Sequence, residues 1–392
     1  MFTGMLISSI GGSMVWPFLM IYASEKLSLP LSQVTSLMTI NAIAGLTAAF
    51  IAGPLIDRLG RKWIMVFSLS MNGLAYMALS QANSYPAFAL LMALSGAVNP
   101  LYRVGSDAML ADLIPMHQRV DAFSVIRLSN NIGVALGPAI GGFIATRSYT
   151  VAFLGAMVGM VTYSVLLSVL AKETLPKNDQ SDAVKPTPEK FGGYGSILKD
   201  TPFMSFITAF TLVLSCAVLI WILLGVYAKQ NFGIPENQYG WIATTNAVMV
   251  VLFQIPITGI SKKFPNLKVI IAGAFLYTLA VTSIAFGAGF WWFWGSMVIL
   301  TIGEMLLMPT SSTYVANLAP SNKRGRYMSI YGLTWGTAAG IAPLIGGYLN
   351  DSFGPRTIWL GGGLAGLIGT LGFVWLLYKG KARQEVQWEI PS

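Results

Sequence analysis

Stretches of about 20 apolar residues recur along this chain, separated by short polar turns. Twelve are read here, at 2–22, 33–55, 63–82, 86–113, 122–146, 149–171, 203–228, 239–261, 269–288, 291–317, 327–350 and 357–378. Each is long enough to cross the hydrocarbon core of a bilayer as a helix. Lipid offers no partner to an open backbone, so the pattern predicts an all-α membrane protein of twelve transmembrane helices. One connection breaks the rhythm. Residues 172–202 are rich in Lys, Asp, Pro and Thr and have no apolar period. The chain therefore divides into a six-helix bundle at 1–171, a linker at 172–202, a second six-helix bundle at 203–378 and a tail at 379–392. The linker is read as a tether without chemistry of its own. The first stretch has no charged flank and no cleavage-site pattern, and is read as a retained helix rather than a removable signal.

The two halves repeat each other at a constant offset of 205 residues. Trp16 meets Trp221, Tyr22 meets Tyr227, Gln33 meets Gln238 and Asn41 meets Asn246. Ala111-x-Leu113-x-Pro115 meets Ala316-x-Leu318-x-Pro320, and Pro138-x-Ile140-Gly141-Gly142 meets Pro343-x-Ile345-Gly346-Gly347. A unit copied head to tail predicts two bundles related by a parallel pseudo-two-fold axis along the membrane normal. In membrane proteins that plan belongs to transporters that rock one half against the other.

Composition agrees with lipid as the solvent. The chain is 55% hydrophobic and 10% charged, against roughly 25% charged in soluble domains. The net charge of +9 could suggest nucleic acid, but its placement argues for topology. With twelve spans, 18 of the 24 Lys and Arg fall at the end that holds both termini, in clusters such as Arg58, Arg61, Lys62 and Lys262, Lys263, Lys268. Only Lys26, Arg147, Lys229 and Arg356 fall at the other end. The basic end, with both termini, is thus expected to be cytoplasmic, and no nucleic-acid partner is expected. Trp291, Trp292 and Trp294 open the tenth span where indole rings favour the outer headgroup layer. A single cysteine, Cys216, excludes an intrachain disulfide, and a single histidine, His117, leaves little room for a metal site. No nucleophile–base motif is present, so neither an enzyme nor a cofactor is expected.

Charge inside the spans carries the candidate chemistry, since each such group is costly unless paired or wet. Arg103 and Asp107 share a face of span four, being four residues apart. Arg127 lies at a similar depth in span five, so an Asp107–Arg127 ion pair is expected, either locking two helices together or serving in gating or proton transfer. Glu304 stands alone in span ten, far from both ends and with no basic residue in its span. Desolvation should keep such a carboxylate neutral part of the time, as a proton carrier requires; the alternative is an acid merely hydrogen-bonded in the core. At the repeat positions Asn99 corresponds to Glu304, Met308 to Arg103 and Ser312 to Asp107. The scaffold repeats and the charges do not. Asn41, Asn99, Asn246, Tyr22 and Tyr227 are candidates to line a central cavity.

Two motifs carry a family resemblance. The turn after span two reads Gly53-Pro54-Leu55-Ile56-Asp57-Arg58-Leu59-Gly60-Arg61-Lys62, and it resembles the signature loop of the major facilitator superfamily. Span five carries Gly133-x-x-x-Gly137-Pro138-x-x-Gly141-Gly142, which resembles the motif of that superfamily's twelve-span drug:proton antiporters. Span count, linker and half-repeat extend the resemblance over the whole chain. It implies that Gly53, Asp57, Arg58, Gly60, Arg61 and Lys62 form a conformational latch for the outward-open state. Small residues at four-residue spacing let helices approach closely and Pro138 and Pro343 permit a kink, so Gly133, Gly137, Pro138, Gly141, Gly142 and their counterparts Gly340, Pro343, Gly346 and Gly347 are read as hinge and packing residues, serving plain packing, a coupling role or both. A Gly-Glu pair in span ten is linked in some of these antiporters to proton or substrate handling. Two departures stand out. The second-half turn, Lys262-Lys263-Phe264-Pro265-Asn266, has lost its acid, and Met92 stands four residues before Gly96 where drug antiporters often carry arginine.

The sequence thus predicts a proton-coupled secondary transporter working by alternating access, multi-pass in a bacterial cytoplasmic (inner) membrane and monomeric. It is read as exporting hydrophobic or cationic compounds in exchange for protons, with Glu304, Asp107, Arg103 and Arg127 as coupling residues. A sugar, metabolite or lipid carrier on the same fold, importer or flippase, is the alternative.

Overall fold

The computed structural model describes residues 2–115, 118–174, 194–320 and 323–388. Helix α1 (Phe2–Val15) passes through a tight turn at Trp16–Phe18 into α2 (Leu19–Leu27), and the two together make the first span. Pro17 sits in that turn, where its missing N–H interrupts the α-helical ladder. Then follow α3 (Leu31–Leu59), α4 (Arg61–Gln81), α5 (Tyr85–Leu113), α6 (Arg119–Ala145) and α7 (Tyr149–Leu170). A short α8 (Tyr194–Leu198) precedes α9 (Thr201–Phe232), α10 (Glu236–Ser261), α11 (Asn266–Ile284), α12 (Phe290–Leu318), α13 (Arg324–Phe353) and α14 (Thr357–Trp388). No strand occurs among the described residues.

Among the described residues eleven segments are long and apolar enough to cross a membrane. The remaining long helix, α13, has 30 residues but falls short in hydropathy. Its apolar content is diluted by Gly325, Gly332, Gly336, Gly340, Gly346 and Gly347, and most of these have a packing reason. The expected twelve apolar spans are therefore eleven by length and hydropathy, plus one helix built for close approach. The span edges also move. α14 continues through Trp388, so most of the expected tail is helical.

The repeat is visible in the packing. In the first half α1 packs on α6 and α7, α3 on α5, and α4 on α5 and α7. In the second half α9 packs on α13 and α14, α10 on α12, and α11 on α12 and α14. Two long seams join the halves, α3 against α13 and α6 against α10. The 205-residue offset carries α3 onto α10 and α6 onto α13, so the seams are the same contact made twice.

Glycine sets how closely these seams approach. Gly142 lies against the Glu236–Asn237 backbone and Gly240 against the Pro138 carbonyl, joining α6 to α10. In the other seam Gly347 lies against Ser32 and Thr35, Gly340 against Ala42 and Gly336 against Leu46. The remaining motif glycines face inward within their own half: Gly133 and Gly137 meet Ser9, Ile10 and Ser13, Gly141 meets Met14, and Gly346 meets Leu219 and Leu223. One four-residue repeat of small side chains therefore serves two helix contacts at once.

The linker ends are docked. Glu173 accepts from the backbone N–H groups of Arg61 (2.9 Å) and Lys62 (3.1 Å), capping α4. Ile197 of α8 is buried, Lys323 donates to the Ser196 hydroxyl at 3.0 Å, and Asp200 caps α9 through Phe203 N–H while accepting from the Tyr327 hydroxyl at 2.6 Å. A free tether does not describe these residues; the middle of the linker, 175–193, lies outside the described residues.

Candidate functional site

A cavity of about 570 Å³ lies between the halves. Its wall comes mostly from α1, α3, α4 and α5, with Asn130 of α6, Met160 of α7 and Leu333, Trp335 and Gly336 of α13. Asn41, Asn72, Asn99 and Asn130 bring amides to it, Arg103 brings the one charge among the described lining residues, and Trp16, Trp335, Met38 and Met160 bring apolar surface. That volume suits a drug-sized molecule, and a mainly apolar wall with a few placed polar groups is the usual make-up of such sites. The amides are partly committed already: Asn41 donates to the Met92 carbonyl at 2.9 Å, and Asn130 accepts from the Ser9 hydroxyl at 2.9 Å.

Of the proposed lining residues, Asn41 and Asn99 are there. Tyr22 and Tyr227 are not. Tyr22 is buried in the first bundle, donating to the Ser80 carbonyl at 2.9 Å and packing on Tyr149 and Phe153. Tyr227 is buried among Phe232, Phe293 and Trp359. The repeat positions suggest cavity surface, yet both rings serve as bundle core. Asn246 is also buried and turns to a different task.

Asn246 donates to the Glu304 carboxylate at 2.7 Å and to the Thr301 hydroxyl at 3.0 Å. The Thr301 hydroxyl in turn donates to the Met297 carbonyl at 2.7 Å. Glu304 is half-buried between α10 and α12, and among the described residues it has no cationic partner. Neighbouring Gly303 lies against the Gly273 backbone, bringing α12 close to α11. Glu304 is outside the residues that line the cavity, whereas its repeat counterpart Asn99 is among them.

The first-half charges are arranged differently from expectation. Arg103 faces the cavity, and Asp107 is exposed one turn further along α5. The two form no ion pair with each other. The expected Asp107–Arg127 pair lies outside the described side chains, since that of Arg127 is among those left undescribed. Among the described residues of this half, the ion pair present joins the 53–62 turn to α5, with Arg61 Nε 2.8 Å from Asp112. Gly60, at φ +94°, turns the chain between α3 and α4 in a conformation that L side chains rarely adopt. Asp57 and Arg58 are exposed.

Sequence reading missed the polar closure at the end opposite the basic turns. Lys229 of α9 lies 2.5 Å from Glu25 of α2 and also pairs with Glu236 of α10, which accepts in addition from the Tyr149 hydroxyl of α7. Gln230 donates to the Ser24 hydroxyl at 2.7 Å. Asp351 accepts from the backbone N–H groups of Leu31 (3.1 Å) and Ser32 (2.8 Å), so the second half caps a helix of the first. Thr39 donates to the Gly340 carbonyl at 2.5 Å. The available signal was that Glu25, Lys229 and Glu236 are charged residues at span ends; the Lys and Arg count takes Lys229 only as topology and leaves the two acids out.

Two helical bundles in tandem repeat around a cavity define the transporter class of membrane protein. The family model of the Major Facilitator Superfamily matches residues 1–234 and 216–391, and the chain belongs to that superfamily. It is 28% identical over 377 residues to a Na(+), Li(+), K(+)/H(+) antiporter of Planococcus maritimus, covering 89% of this chain and 87% of that one. It is 25% identical to the quinolone resistance protein NorA of Staphylococcus aureus (strain MSSA476), with 92% of each chain covered. The nucleoside transporter NupG has the same fold, with a TM-score of 0.80 at 13% identity over 96% of this chain and 99% of that one. The chain is a multi-pass transporter and not an enzyme.

Proposed function

We propose that this protein is a proton-coupled antiporter that works by alternating access and expels hydrophobic or cationic compounds across a bacterial cytoplasmic membrane. The observation that carries the reading is the Glu304–Asn246 pair: an acid in the middle of a spanning helix whose hydrogen-bond partner is a neutral amide at 2.7 Å. A carboxylate without a counter-ion in such a place is a functional candidate by default. Protonated, it is a neutral group that the amide can hold; ionised, it carries a charge the surrounding helices must accommodate. The two protonation states therefore favour different relations of α10 to α12, and a proton that binds one state better shifts the population toward it. The driving force is adequate, at about 2.3 kcal/mol per charge per 100 mV and about 1.4 kcal/mol per unit of pH difference.

The ties at Glu25, Lys229, Glu236, Ser32 and Asp351 support assignment of this conformation as closed to the outside, with the cavity on the cytoplasmic side of those ties. The basic turns then face the cytoplasm, as the charge asymmetry predicts. In this reading Arg61 and its neighbours are resting in the first half, and the latch forms in the opposite state. The names of the relatives, a monovalent-cation/proton antiporter and a quinolone resistance protein, support both proton exchange and drug export.

Arg103 favours a second reading. A guanidinium on the cavity wall beside Asn99 and Asn130 suits an acidic metabolite better than a cation. The two readings separate in one experiment. The protein is reconstituted in liposomes with an imposed pH gradient and challenged with lipophilic cations, monovalent metal cations and carboxylates while internal pH is followed. Proton movement on adding cations, lost in Glu304→Gln, supports antiport. Proton movement with carboxylates alone would replace it with the second reading, and none with any compound would remove the proton.

A further inference from the structure

The two copies of the signature turn have diverged in charge. The first copy carries three carboxylates: Asp57 within the turn, Asp112 paired with Arg61, and Glu173 accepting from the backbone N–H groups of Arg61 and Lys62. At an offset of 205 residues the same positions hold Lys262, Asn317 and Tyr378. All three acids are gone, and one has become a cation. Lys262, Lys263 and Lys268 are exposed, and among the described residues none forms an ion pair.

Beside these lysines an apolar groove of about 380 Å³ runs between α10, α11 and α12. Ile257, Ile260, Phe264, Ile302 and Leu306 wall it, with Ser261 and Lys268 at its polar end. It shares no residue with the central cavity. Ile260 and Phe264 are 60% and 56% exposed, so the groove opens outward, away from the seams. At 1.5 Å per residue the 19 residues of α11 span about 28 Å, close to one hydrocarbon thickness. Lys268, in its first turn, then sits at headgroup level.

We propose that this groove binds one anionic phospholipid of the cytoplasmic leaflet, with the phosphate among the Lys262, Lys263 and Lys268 ammonium groups and an acyl chain along the apolar wall. The proposal rests on the cytoplasmic placement of the basic end and is independent of the cargo. Charge decides the occupant. Three unpaired lysines repel a cationic compound and attract an anion, and a free anion would leave the apolar wall uncovered. The cytoplasmic leaflet is the anionic one, and juxtamembrane lysines are drawn to it.

The test uses the purified full-length protein in neutral detergent, with dioleoylphosphatidylglycerol or dioleoylphosphatidylcholine added. Retained lipid is counted by native mass spectrometry and the thermal midpoint is followed. The expected result is one retained phosphatidylglycerol and a rise in midpoint that phosphatidylcholine does not give. The triple variant Lys262→Gln, Lys263→Gln, Lys268→Gln should bind it about a hundredfold more weakly, and the three arginine replacements should restore it. Ala272→Trp, which fills the groove from an exposed position, should lose retention with the lysines intact. A charge-matched control, Lys172→Gln with Lys199→Gln and Lys379→Gln, should behave as wild type. Equal retention of both lipids, equal loss in the control triple, or full retention in Ala272→Trp would each overturn the proposal. Because no pH gradient is involved, its failure is distinct from failure of the antiport reading.

Discussion

Asn246 and Glu304 lie 58 positions apart and meet at 2.7 Å, the amide donating to the carboxylate across the α10–α12 contact. Their repeat counterparts, Asn41 and Asn99, both line the cavity, and Asn41 gives its amide to the Met92 carbonyl instead. One half uses the pair of positions to build a wall, and the other uses them to hold an acid. If that acid carries the proton, Glu304→Gln should keep the fold, because glutamine still accepts from Asn246. Its thermal midpoint should stay within a few degrees of wild type while proton-driven flux in liposomes falls at least tenfold. Unchanged flux would remove Glu304 from the mechanism.

The tie at Lys229 should govern which side is open. Glu236 has a side chain only 5% exposed, so Lys229→Met leaves a buried carboxylate with the Tyr149 hydroxyl but no cation, at a cost of up to about 3–5 kcal/mol. That penalty falls on the conformation described here and not on one in which the outer ends part. The variant should therefore shift toward the outward-open state. Thr35→Cys, at a seam position buried in this conformation, reports the change through labelling by a membrane-impermeant maleimide. Labelling should rise several-fold when Lys229→Met is added. Cys216 is buried and supplies little background.

The matched seams predict matched responses. A Cβ on Gly142 would meet the Glu236–Asn237 backbone, and one on Gly347 would meet the Ser32 backbone. Gly142→Val and Gly347→Val should each destabilise the closed outer seams by about 1–3 kcal/mol, the usual range for overpacking. Both should raise Thr35→Cys labelling. Gly259, with no atom near an added Cβ, is the control, and Gly259→Ala should leave labelling unchanged.

The turn at 53–62 separates two roles. Arg61 and Asp112 are in contact now, with side chains 13% and 32% exposed. A double-mutant cycle with Arg61→Ala and Asp112→Ala should give a coupling of about 0.5–3 kcal/mol in unfolding experiments. Asp57 is exposed and makes no hydrogen bond or ion pair among the described residues. Asp57→Asn should therefore leave the thermal midpoint alone while slowing transport several-fold, since its contacts would form in the opposite state. A lowered midpoint with normal transport would reverse the assignment.

Much of this architecture was legible in the sequence because lipid leaves few choices. An apolar run of spanning length must be a helix, and a fixed 205-residue offset makes two bundles and two equivalent seams. The Asp57-to-Lys62 turn and the glycine-proline run identify the family on residues that stand next to one another. The solitary position of Glu304 was legible for the same reason, as charge is conspicuous in an apolar span. Lateral contacts were not. Periodicity gives a helix face but not its neighbour, so it does not tell that Tyr22 and Tyr227 fill bundle cores rather than the cavity wall. Arg61 found Asp112, Asn246 turned from the cavity to Glu304, and Lys229 drew Glu25 and Glu236 together across more than 200 positions of chain. Local hydrophobicity determined which segments enter the membrane; only the packing of those segments decided which polar groups meet, because those meetings depend on helix rotation and depth that no single span encodes.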